Sequence, residues 1–230
     1  MSEWWTYSLS DFLLFSPRTY YRLFELYNLA IWPAQLLALV LGVAILALMI
    51  RRPAWHGQAI AAALAGCWLW VAWAYLLTRY DTINWAARYF AAGFALEAVL
   101  LALSGVIGDR LAMRAGGTDL ASRAGLGLFL YALIALPLIG PLLIGRPWTQ
   151  AELFGLAPDP TIVATLGVLV AADRPSWHLA IVPLAWCAIA GATLWTMGSP
   201  DALVLPAVAV LAIAVTTWKT LARSGKGAGL

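Results

Sequence analysis

The sequence predicts an all-α, polytopic membrane helix bundle of about seven transmembrane helices, with an amphipathic helix at the membrane surface before the first. Three observations predict it. Hydrophobic residues make up 63% of the 230-residue chain and charged ones only 11%, against roughly 45–50% and 25% in soluble domains. Apolar runs recur, bounded by charges and by Pro or Gly, and a bilayer core about 30 Å thick needs roughly 20 apolar residues of helix. Tryptophans fall at the ends of these runs, where aromatic belts form at membrane–water interfaces.

The runs lie near Leu29–Ile50, Gly57–Leu77, Trp85–Ile107, Ala124–Ile144, Pro160–Ala172, His178–Met197 and Ala202–Leu221. The fifth, between Asp159 and Asp173, is short enough to be either a tilted span or a re-entrant segment. Charge favours a span. With seven crossings, nine of the 14 Lys and Arg fall on one side, among them Arg51, Arg52, Arg110 and Lys219. A re-entrant fifth segment removes this bias, so the positive-inside rule places the N-terminus outside and the C-terminus in the cytoplasm. Trp32, Trp85, Trp148 and Trp195 then mark the outer rim, and Trp55, Trp177 and Trp218 the inner one. Trp68, Trp70 and Trp186 lie deeper, as packing residues. Met1-Ser2-Glu3 lacks the basic start of a cleavable signal, so none is expected.

Residues 1–28 read as an interfacial segment, 29–221 as the transmembrane domain and 222–230 as a short basic tail. Within the first, Ser10-Asp11 and Ser16-Pro17 are helix-start signals. Tyr20, Leu23, Phe24 and Tyr27 repeat at helical spacing opposite Arg18, Arg22 and Glu25, with Trp4 and Trp5 as anchors. Such a helix either packs on the outer rim of the bundle or docks a membrane or periplasmic partner. Beyond this and the lipid bilayer no partner is indicated; the scattered cations form no nucleic-acid surface.

Arg52-Pro53-Ala54-Trp55-His56 before the second run is echoed by Arg174-Pro175-Ser176-Trp177-His178 before the sixth. The echo admits a 3+1+3 arrangement with parallel repeats, or two interfaces with the same chemistry.

Glu97 is the leading candidate for function, since a carboxyl near mid-bilayer costs several kcal/mol unless protonated or paired. It reads as a proton site, a cation site or a gate, and equally as a neutral acid bonded to a neighbouring helix. Asn28, Gln35, Asp159, Thr161 and Thr165 cluster at two helix starts, whose free N–H groups suit a polar or anionic solute. Asp159 before Pro160 also reads as an ordinary N-cap. No metal, haem or other cofactor is indicated: His56, His178, Cys67 and Cys187 belong to no multi-ligand motif. The two lysines, Lys219 and Lys226, sit at the inner end, which excludes a retinal Schiff base. No nucleotide-binding or hydrolase motif occurs and no paired acid–base site can be assembled, so the reading leans away from an enzyme. Binding or transport of a small polar solute or ion through the bundle is the leading function. A non-catalytic accessory or anchoring subunit of a membrane complex is the alternative.

Tyr27-Asn28-Leu29-Ala30-Ile31-Trp32-Pro33-Ala34-Gln35, Pro158-x-Pro160-Thr161-x3-Thr165-Leu166-Gly167 and Ile181-x-Pro183-Leu184-x-Trp186 together resemble an uncharacterised family of bacterial multi-pass membrane proteins, a domain of unknown function. The resemblance covers nearly all of the chain after residue 20. It implies the helical fold and a bacterial inner-membrane location, and it supplies no activity. In that family the position of Asp159 is often Cys, so Asp here argues against a thiol-based mechanism.

Overall fold

The computed structural model describes residues 15–113 and 119–227; Trp4, Trp5 and the Ser10-Asp11 signal lie outside them. The described residues form helices and turns throughout. Helix α1 (Pro17–Ala30) starts as its sequence dictates, with Pro17 in the first turn and the Ser16 side chain accepting from the Thr19 N–H at 3.2 Å. Its apolar face, Tyr20, Leu23, Phe24 and Tyr27, is buried. Phe24 stacks on Tyr75 with ring centroids 4.9 Å apart, and Tyr27 donates to the Leu156 carbonyl at 3.0 Å. These contacts pack α1 onto one end of the bundle.

Six helical segments are long and apolar enough to cross a membrane. They are α2 (Ala34–Arg51), α3 (His56–Trp70, continued by π-helical turns over Val71–Leu77) and α4 (Ala87–Leu101, continued over Ala102–Ile107). Then come α5 (Leu120–Leu130, continued irregularly to Ile144), α7 (Ile181–Thr196) and α8 (Val204–Gly227). Helix α5 starts earlier than its apolar run because Asp119 caps it, accepting from the Ser122 N–H at 3.1 Å. Helix α8 continues through Gly227, into the stretch the sequence suggests as a tail. Arg88, at the rim end of α4, pairs with Asp81 at 3.0 Å.

Helix α6 (Pro158–Ala171) is the exception, and it organises the fold. All of its 14 residues are buried, although 14 residues span only about 21 Å. The chain before it makes up the difference by turning into the bundle, where Phe154, Leu156 and Ala157 are buried. Gly155 takes φ +76° there, and its N–H donates to Thr161 Oγ1 at 2.9 Å. At the far end the Asp173 N–H donates to the Ala112 carbonyl at 2.8 Å, in the connection between α4 and α5. The fifth apolar segment therefore runs through the bundle from the α1 end to the opposite end. Lys219 of α8 donates to the carbonyls of Val170 and Ala172 at the α6 C-terminus, where a cation meets the negative end of the helix dipole.

Helix α5 lies directly on α6. A Cβ on Gly125 would stand 2.4 Å from the Gly167 carbonyl oxygen, and one on Gly167 would stand 2.7 Å from that of Gly125. Only glycine permits this approach of two backbones.

The rim tryptophans Trp32, Trp85, Trp148, Trp195, Trp55, Trp177 and Trp218 are all exposed, whereas Trp68 and Trp186 are buried. The two helices that a 3+1+3 repeat would pair sit in unlike places: α2 is peripheral, with Leu37 and Val40 exposed, and α6 is central. The two echoed histidines differ too. His56 is buried, donates from Nδ1 to the Pro53 carbonyl at 2.7 Å and accepts at Nε2 from the Met113 N–H at 2.8 Å. His178 is exposed and shares a hydrogen bond with Ser104 at 3.0 Å.

Candidate functional site

At the α1 end, the connections after α5 and after α7 fold over the start of α6. Together they line a partly open cavity of about 30 Å³, room for a water-sized species. Arg146, Gln150, Glu152, Asp159 and Asp201 supply its polar wall, and Leu136, Leu194 and Leu205 are among its apolar neighbours. Arg146 binds Asp201 at 2.8 Å and lies 4.2 Å from the centroid of the Tyr21 ring. Ser199 donates to the other Asp201 oxygen and shares a 2.9 Å hydrogen bond with Tyr21. One cation thus faces three carboxyl groups. Glu152, in the connection before α6, has one oxygen enclosed without a hydrogen-bond partner. Burial holds its carboxyl well above the usual 4.5, the nearby Asp159 carboxyl raises it further, and Arg146 works in the opposite direction.

Asp159 is not an N-cap. Ala157 occupies that position, and Asp159 is the second residue of α6. Its Oδ1 accepts from the indole N–H of Trp186 at 2.8 Å. Trp186 then meets Phe94 of α4 edge-to-face at 5.1 Å, and Phe94 lies against Trp68 of α3 at 4.4 Å. Trp68 returns to α6 by donating to Thr165 Oγ1 at 2.9 Å. Three aromatic rings from three helices form a collar beside the central helix.

Glu97 is on the same buried face of α4 as Phe94, one turn beyond it and ten residues from either end of the Ala87–Ile107 segment. It is fully buried, and neither carboxyl oxygen has a hydrogen-bond partner. A chain of contacts therefore links Asp159, which lines the cavity, through Trp186 and Phe94 to the face of α4 that carries Glu97.

The remaining candidates from the sequence make backbone contacts. Thr161 Oγ1 donates to the Ala157 carbonyl and Thr165 Oγ1 to the Thr161 carbonyl, at 2.7 and 2.8 Å. Asn28 donates to the carbonyls of Thr149 and Ala151, and Gln35 donates to the Asn28 carbonyl at 2.7 Å. The structure thus gathers Asp159, Thr161 and Thr165 along α6 and leaves Asn28 and Gln35 at the α1–α2 corner. Sequence reasoning missed Arg146, Glu152 and Asp201. The available signal was that both of their connections fall on one side of a seven-span layout.

A model of a family of unknown function, DUF6064, matches residues 18–226. The chain belongs to that family. The DUF6064 match runs from the first turn of α1 into the last turn of α8, so the cavity, the collar and Glu97 all lie within it. No curated protein and no solved structure matches the chain.

Proposed function

We propose that this DUF6064 protein crosses a bacterial inner membrane seven times, N-terminus outside, and passes a small cation through its bundle. The supporting observation is the placement of carboxyl groups: Glu152, Asp159 and Asp201 face a single guanidinium at the outer cavity, with Glu97 beside the aromatic collar at mid-depth. Excess carboxylate at a cavity mouth attracts cations, and an ionisable group at mid-bilayer marks an ion path by default. The test is cation flux into vesicles containing the purified protein. Asp159→Asn and Glu97→Gln are each expected to abolish it, and unchanged flux in Glu97→Gln removes the reading.

A second reading rests on α1. Opposite its buried face it exposes Arg18, Arg22, Leu26 and Leu29, a mixed surface fit for a membrane or periplasmic partner of a complex. A partner should then co-purify with the full chain and be lost on Arg18→Glu/Arg22→Glu substitution. Unaltered co-purification would exclude this face.

A further inference from the structure

We infer that the cation carried is a proton, an inference that rests on the cation-passing reading above. Ligand supply separates a proton from a metal cation. Ca²⁺ or Mg²⁺ stripped of water takes six or more oxygen ligands, and among the described residues no group of three or more His, Cys, Asp or Glu side chains could hold a metal ion. Glu97 offers two oxygens and no companions. The titratable groups on the elements packed against α4 are His56, Cys67, Tyr75, Tyr80, Asp81, His178 and Cys187. None of them hydrogen-bonds to Glu97. His56, Tyr80, Asp81 and His178 are engaged elsewhere, with Pro53, Asn84, Arg88 and Ser104 respectively.

A proton needs none of this. One carboxyl at each stop suffices, because the proton becomes part of the group that carries it. The outer cavity holds about 30 Å³, enough for a water that relays a proton. The collar of Trp68, Phe94 and Trp186 then bars hydrated ions.

A hydronium ion in the outer cavity gives its proton to the Asp159 carboxylate, forming an O–H bond and leaving water. The transfer requires a water between the two sites, admitted when the Phe94 ring is displaced. The Asp159 O–H bond breaks, a Glu97 O–H bond forms through that water, and Asp159 is again a carboxylate. Glu97 later returns the proton to water on the opposite side.

The full chain in liposomes holding a pH-sensitive dye tests this, under a potential set by potassium and valinomycin, with radiolabelled Na⁺ uptake measured in parallel and Rb⁺ uptake measured in separate vesicles without valinomycin. Proton influx is expected, lost in Glu97→Gln and in Asp159→Asn, with no Na⁺ or Rb⁺ uptake above protein-free vesicles. Because Glu97 makes no hydrogen bond, Glu97→Gln should elute as the same single species in detergent. If it does not, Asp159→Asn decides. Uptake of Na⁺ or Rb⁺ without proton influx overturns the proton and leaves the cation path standing. Absence of all three fluxes overturns both.

Discussion

The indole of Trp186 donates to the carboxyl of Asp159 at 2.8 Å, and the same ring meets Phe94 at 5.1 Å. One side chain therefore ties α7 to the first turn of the buried helix α6 and to the face of α4 that carries Glu97.

Replacing Trp186 with Phe keeps the ring contact and deletes the donor, leaving Asp159 short of a partner in the core. The expected cost is about 1 kcal/mol, visible as a lowered unfolding midpoint in detergent. Trp195→Phe, at the exposed rim, should stay within about 0.5 kcal/mol of the parent. Equal midpoints for the two variants would remove the Trp186–Asp159 bond from the stability of the bundle.

The α5–α6 crossing gives a paired comparison two residues apart. At Gly125 a methyl group would meet the Gly167 carbonyl at 2.4 Å and the Ala171 backbone nitrogen at 2.7 Å, atoms that cannot move aside without shifting α6. Gly125→Ala should cost about 2–3 kcal/mol. At Gly127 nothing lies within 4 Å, so Gly127→Ala gains helix propensity of up to about 1 kcal/mol. Urea or thermal unfolding of the two variants should move in opposite directions, and parallel shifts would contradict the crossing.

Much of this architecture was legible beforehand, for identifiable reasons. Ser16 and Pro17 start α1 because their chemistry is local, and its buried face follows the helical spacing of Tyr20, Leu23, Phe24 and Tyr27. The rim tryptophans are legible because amphipathic rings seek interfaces. What stayed hidden is which helix is central. Apart from a few polar residues such as Gln35 on α2 and Asp159, Thr161 and Thr165 on α6, both helices are apolar on every side, so neither carries a stripe that shows its direction of burial. Candidate residues on the spans stood out as rare polar groups among apolar ones, as Glu97 does. Arg146 and Asp201 did not, since charge in a connection is unremarkable until folding joins residues 55 positions apart.

Lys219 reads in the sequence as one more inner-rim cation, but it is buried against the carbonyls that end α6. Lys219→Met retains the stem and removes the donors, leaving carbonyls enclosed with fewer partners. A loss of about 2 kcal/mol is expected, largely recovered in Lys219→Arg, which keeps the charge at the helix C-terminus. Unfolding midpoints of the three proteins check the order, and a Met variant as stable as the parent would show that those carbonyls find other donors.

The burial of Glu152 in the outer cavity predicts a pH dependence of stability. Its carboxyl is held well above 4.5, first by burial and then by the Asp159 carboxyl, despite the opposing effect of Arg146. A carboxyl whose value is raised on folding binds its proton more tightly in the folded state. Its contribution is therefore full below the unfolded value and is lost as pH rises through the folded one. Stability should accordingly fall as pH climbs above about 4.5, the ordinary value for a glutamate. Glu152→Gln, a neutral isostere, should flatten that part of the profile and stabilise the protein most at the alkaline end. Unfolding midpoints from about pH 4 to about pH 9 read this directly. If the Gln variant keeps the parent slope, the titrating group lies elsewhere, and Glu152 faces more water than its enclosed oxygen implies.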